Sequence, residues 1–174
     1  GGTRIGSVNE AVNRVGFSEI LRLVGIATVA GLAERSLMYY GIAADRMRES
    51  LLLHALASEA LAERCGLDAR QAYAGGLLRS LGMMVLDRVA RDRESVAEIY
   101  DERRFPNYGR WEEALFGLTS REVTTMVLDE WRFSPELVAA LDAHFITVEE
   151  DHSDRLAVAI NLAGSIVTGA GLAL

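Results

Sequence analysis

The chain has 174 residues, half of them hydrophobic, enough for one domain with a sizeable buried core and too many for a disordered segment. Its 25 Asp and Glu outweigh 18 Lys and Arg, giving a net charge of −7 and a pI near 5.0; without a basic field to attract phosphate backbones or anionic lipid, neither nucleic acid nor membrane is an expected partner. The single cysteine, Cys65, excludes an internal disulfide and a cysteine-based zinc cluster, and suits a reducing compartment, which we take as the cytoplasm.

Gly1 to Glu10 has no basic region followed by an apolar core, so no cleavable signal is expected. Helix starts are marked by capping boxes, in which an N-cap side chain and the residue three positions later satisfy each other's backbone N–H groups. Ser7 with Glu10, Asp68 with Gln71 and Thr119 with Glu122 have this form, and Ser134–Pro135 is a fourth start. With apolar residues at helical spacing between them, helices are expected at about 8–15, 19–33, 46–64, 69–90, 92–100, 111–116, 120–131, 135–144 and 154–168, with C-caps at Gly16 and Gly66. No stretch alternates β-branched and polar residues, so the fold class is all-α, a compact multi-helix bundle in a single domain over 1–174. Leu156 to Leu174 is uncharged but rich in Ala and Gly, and it reads as a buried terminal helix ending near Gly169 rather than a membrane span.

Within the expected 69–90 helix, Gly75, Gly76 and Gly82 each cost up to about 1 kcal/mol relative to Ala, so close packing against neighbours must compensate. Gly76→Leu should then destabilise by about 1–3 kcal/mol. Asp101 to Arg110 reads as a charged surface loop, Arg103–Arg104 as solvated, Cys65 as a packed or semi-exposed thiol, and His152 as a loop residue. Trp111, Phe116 and Trp131 are read as core. No nucleophile elbow, Walker A loop, H-E-x-x-H helix or dinucleotide-binding glycine turn is present.

The stretch AGGLLRSLGMMVL (74–86) resembles the A-x-GLLHDIG helix of HD-type hydrolases, whose His-Asp pair supplies two metal ligands. FGLTSREVTTMVLDEWRFSPELVAALDAHF (116–145) and NLAGSIV (161–167) continue the likeness, which reaches back to Ile5-Gly6-Ser7 and Glu10-Ala11-Val12. Together they resemble the HDOD family, an HD-like helical fold with a degenerate metal site; members carry further N-terminal helices, so the chain corresponds to the C-terminal, HD-like portion. A surface left apolar by those helices would favour self-association, with a homodimer as the simplest form.

The resemblance places His54 and His144 at metal-ligand positions, Arg79 and Ser80 at the central His-Asp, Ser120 at a later His and Gly164 at the late Asp. A permanent cation within a few ångströms of a divalent metal costs on the order of several kcal/mol, so Arg79 is the most disruptive replacement. His54 also reads as a helix-flank residue satisfied by water or a carbonyl, and His144 as a helix-end residue favoured by the macrodipole. Arg79 is either solvated or fills the former metal pocket and pairs with a carboxylate such as Glu122 or Asp142.

No catalytic residue, metal or cofactor is therefore expected. The resemblance implies a non-catalytic output module of bacterial signal transduction that binds a protein partner or an adjacent signalling domain. The rival functions are a metal-dependent phosphohydrolase and a small-molecule sensor holding a ligand between Arg79, His54 and His144.

Overall fold

The computed structural model describes residues 27, 31, 35–92, 98–143 and 154–169. From residue 35 onward the described residues form, in order, α1 (Ala44–Cys65), α2 (Ala69–Leu78), α3 (Leu81–Asp92), α4 (Tyr108–Phe116), α5 (Ser120–Glu130), α6 (Pro135–Ala143) and α7 (Arg155–Gly169). There is no strand among the described residues, only one antiparallel bridge between Leu37 and Ile42. The expected helix at 8–15, the Ser7–Glu10 box and the Gly16 cap lie outside the described residues, as do His144 and His152; Ala27 and Gly31, within the expected 19–33, are helical.

Capping chemistry sets most boundaries. Gly66 ends α1 in the left-handed region (φ 66°), and its N–H and that of Leu67 reach back to the Glu63 and Ala62 carbonyls. Two residues later Asp68 Oδ1 accepts from Arg70 N and Gln71 N and opens α2, so α1 and α2 pack as a hairpin. The Thr119–Glu122 box is complete, Ser134 Oγ accepts from Leu137 N, and Asp154 Oδ1 accepts from Leu156 N and Ala157 N. Asn107 caps α4, so that helix begins at Tyr108 rather than at 111.

Two expectations are corrected. The single helix over 69–90 is broken at Arg79–Ser80, because the Gly82 N–H, which a continuous helix would direct to the Leu78 carbonyl, donates instead to Thr124 Oγ1 of α5 at 2.9 Å. Of the helix expected at 92–100, residues 98–100 are not helical: Tyr100 N donates to Tyr39 O at 2.8 Å and the Glu98 carbonyl accepts from the Trp111 indole N–H at 3.2 Å. Helix α7 packs across α1, α2 and α6, while α3 packs on α5 and α5 on α6. The core joins these layers through Met47, Leu51, Leu78, Leu81, Leu141 and Ile160. Trp111 is core as expected, at the centre of an aromatic cluster with Tyr40, Tyr100 and Phe116, whereas Phe116 and Trp131 pack against the core only partly buried. Cys65 is exposed, not packed.

Candidate functional site

Three helices meet at the residues that the sequence singles out. At Gly76 the α1–α2 contact is made without a side chain on α2: a Cβ there would stand 2.5 Å from the His54 carbonyl oxygen and 2.7 Å from Ala55 Cα. Gly75 likewise faces Ile160 of α7 at 2.5 Å, and a Cβ on Gly82 would overlap the Ser120 carbonyl. The glycines in this segment thus mark close helix approach, as expected.

The buried side of α1 is apolar through Met47, Leu51, Ala55 and Ala62 but carries a polar row, Ser50, His54 and Ser58 at i, i+4 spacing, which are 1%, 3% and 0% exposed. His54 Nδ1 lies 2.6 Å from the Ser50 carbonyl oxygen, which only accepts, so Nδ1 carries the proton and Nε2 presents a bare lone pair. Among the described residues no group partners His54 Nε2 or Ser58 Oγ. Burial, with the charge of Arg79 second, pushes the His54 imidazole down to about 4.

One turn beyond Gly76, Arg79 closes α2 and extends into the same junction. The other wall is Gly164 of α7, where a Cβ would lie 3.5 Å and 3.6 Å from the two terminal guanidinium nitrogens. Burial pulls the guanidinium down to about 10, so it remains a cation at neutral pH. Among the described residues it has no hydrogen bond and no ion pair. Neither expected carboxylate reaches it, because each is held elsewhere. Glu122 accepts from Thr119 N and Oγ1, bonds that hold its carboxyl below the usual range, and Asp142 faces Arg121 Nε at 3.7 Å. Arg79 is thus neither freely solvated nor paired.

His54, Arg79 and Gly164 therefore come together. Ser80 is 7% exposed at the break between α2 and α3, its carbonyl accepting from Met84 N. Ser120 belongs to a different cluster. Its N–H donates at 2.7 Å to Oε2 of Glu112, a 1%-exposed carboxylate whose Oε1 accepts from the Tyr40 hydroxyl at 2.7 Å. That phenol is pushed well above its ordinary range by burial, and secondarily by Glu112. A cavity of about 640 Å³ beside this pair is lined by Met83, Tyr108, Glu112, Ser120 and Glu122 among others.

The sequence reading missed Glu112 and Asp87. Asp87, 3% exposed, accepts from Tyr39 N at 2.8 Å and from Arg91 Nε at 2.7 Å. For Glu112 a signal was present: it stands at helical spacing between Tyr108 and Phe116, on the aromatic face of α4, whereas Glu113 next to it is exposed.

The divalent metal that the resemblance to HD-type hydrolases implies does not fit these residues. The His54 lone pair is a suitable donor, but its neighbour is a guanidinium, and Gly164 has no ligating group. Among the described residues no three His, Cys, Asp or Glu side chains gather into a metal-holding group.

Comparison with known proteins gives the fold a family. A search of curated proteins returned no match. Two crystal structures resemble the chain. One, from Shewanella amazonensis SB2B and provisionally called a phosphohydrolase, has a TM-score of 0.59 and 21% identity, covering 97% of this chain and 61% of that one. The other, an HDOD domain protein of unknown function from Geobacter sulfurreducens, has a TM-score of 0.62 and 17% identity, covering 99% of this chain and 58% of that one. The chain thus spans about three-fifths of the length of these structures. The profile of the HDOD domain matches residues 1–146, more than half of the sequence, and the chain belongs to the HDOD family.

Proposed function

We propose that this domain is a non-catalytic regulatory module of bacterial signal transduction, acting through contacts with a protein partner or an adjacent domain. The observation that carries this reading is Arg79: its cation stands between α1, α2 and α7, beside His54 and against a glycine where the hydrolase pattern has a carboxylate. Hydrolysis by a metal centre needs ligands that hold the ion, an open position for water and groups that orient the ligands. Ser80, Ser120 and Gly164 offer no charged ligand for that purpose. Contact surfaces are at hand in two exposed i, i+4 apolar pairs, Leu52 with Leu56 on α1 and Leu162 with Ile166 on α7. Among the described residues no helix is long and apolar enough to cross a membrane.

The test is to measure bound iron, manganese and zinc, and hydrolysis of cyclic-di-GMP and simple phosphodiesters, in the natural protein and in Arg79→His/Ser80→Asp. Neither is expected to turn over substrate, although the double variant regains two ligand types. Tight metal binding with turnover by the natural protein would overturn the regulatory reading.

A further inference from the structure

The cavity of about 640 Å³ between α4 and the start of α5 has no part in the regulatory reading. Burial grades its lining from the inner end to the mouth: Glu112 is 1% exposed, Met83, Tyr108 and Ser120 are half-buried, and Glu113 and Glu122 are exposed. One carboxylate therefore stands at the inner end and two at the mouth. Glu112 has its hydrogen bonds but no countercharge in them, because both donors, the Tyr40 hydroxyl and the Ser120 N–H, are neutral groups. An enclosed charge that no cation offsets is felt across the adjoining space. At the mouth, Glu122 spends one oxygen, Oε2, on both of its bonds from Thr119, and Oε1 has no partner among the described residues. Those bonds hold its carboxyl below the usual range, so it is fully ionised at neutral pH. Glu113 meets Arg110 at 3.2 Å in a solvent-exposed pair, which solvent screening leaves weak. The guanidinium on the lining, that of Arg121, is engaged by Asp142, with Nε 3.7 Å from Oδ1 and Nη1 donating to the carbonyl at 3.4 Å.

This lining selects a class of ligand. An anion is repelled by the three carboxylates. A bare divalent cation needs several oxygens gathered on one point, and among the described residues no three carboxylates gather in that way. An extended organic cation needs neither: its charges are spread along a chain, and its methylenes suit the Tyr108 ring and the Met83 thioether that lie between the inner carboxylate and the mouth. We propose that this cleft binds a linear alkyl polyamine, with one ammonium group in the field of Glu112, its methylenes along Tyr108 and Met83, and another ammonium group donating to Glu122 Oε1. Alkylammonium groups stay charged throughout the neutral range, as the lysine side chain does. The volume lies within the range of about 300–1,000 Å³ usual for small-molecule sites. The site goes beyond the regulatory role proposed above and does not depend on it.

The experiment is calorimetric titration of the full chain at neutral pH and low, matched ionic strength, using spermidine, butylamine, magnesium chloride and a trilysine peptide. Spermidine is expected to bind more tightly than butylamine or magnesium by about tenfold or more, the equivalent of one further charge-assisted hydrogen bond. Glu122→Gln should remove that advantage. Glutamine keeps the capping box with Thr119, so the variant stays folded by circular dichroism and loss of binding is separable from loss of fold. Glu130→Gln makes the same change of charge at the other, exposed end of α5, outside the cavity, and should leave the affinity unchanged. No heat at millimolar spermidine, equal affinity for magnesium or butylamine, an undiminished response in Glu122→Gln, or an equal loss in Glu130→Gln would overturn the site. Trilysine binding more tightly than spermidine would overturn the assignment to a free polyamine.

Discussion

Two charges in this molecule, Glu112 buried and Arg79 partly buried, are treated in opposite ways. On the α4–α5 side Glu112 is enclosed at 1% exposure and both of its oxygens are used, one by the Tyr40 hydroxyl and one by the Ser120 N–H. At the α1–α2–α7 junction neither Arg79 nor the neighbouring His54 Nε2 has a partner among the described residues. A buried charge with all its bonds made anchors the elements that supply the bonds. One left without them stabilises nothing by itself and stays available to a ligand or a partner. The contrast separates a fully satisfied polar site from an unsatisfied one without reference to any relative.

The comparison breaks first at Glu112. Glu112→Ala should cost about 3–4 kcal/mol in urea unfolding, because it strands a phenol and a helix N-terminal N–H and leaves a cavity. A loss under about 1 kcal/mol would show that water replaces the carboxylate and that the site is not an anchor. Gly76→Leu follows, at about 3 kcal/mol and thus the top of the overpacking range, because the new side chain meets α1 backbone rather than a movable side chain. An unchanged denaturation midpoint would contradict the close approach.

The pH dependence of the junction comes next. His54 is held at about 4 when folded against 6.5 when free, so the unfolded chain takes up its proton first as the pH falls. The stability this contributes is complete above about pH 6.5, is lost between pH 6.5 and about 4, and changes no further below that. The difference in unfolding free energy between the natural protein and His54→Leu should shift by about 2–3 kcal/mol across that window. A flat difference would mean that the imidazole is not desolvated. The smallest effect, and the sharpest contrast with Glu112, is expected of Arg79→Met. Replacing a partly buried cation that has no partner among the described residues with a similar apolar volume should leave stability unchanged or raise it by about 1 kcal/mol. A loss of 2 kcal/mol or more would show that Arg79 has a structural partner and is not in reserve.

Local chemistry was readable in advance where a helix boundary depends on residues close in the chain. The Thr119–Glu122 box, the Gly66 cap and the Ser134–Pro135 start were each predictable, because their donors and acceptors lie within five residues of one another. The glycines of α2 and α3 were legible for a related reason: a costly residue in a helix interior implies a compensating contact, although not with what. The resemblance to HD-type helices likewise marked His54, Arg79 and Gly164 before their proximity was known.

Sequence by itself determined the all-α class, most helix positions and the unusual chemistry at Arg79, since these follow from periodicity, capping and residue identity along one strand of chain. Only the tertiary structure decided that the 69–90 segment breaks, because the acceptor that draws the Gly82 N–H out of the helix lies 42 residues away, on Thr124. It also decided which acid is buried: Glu112 and Glu113 are chemically identical, and a rotation of one residue about the α4 axis sends the first into the core and the second to solvent. The fate of Arg79 was decided in the same way. Pairing depends on the distance to a carboxylate, and packing set Glu122 into its own cap and Asp142 opposite Arg121, leaving the guanidinium between His54 and Gly164.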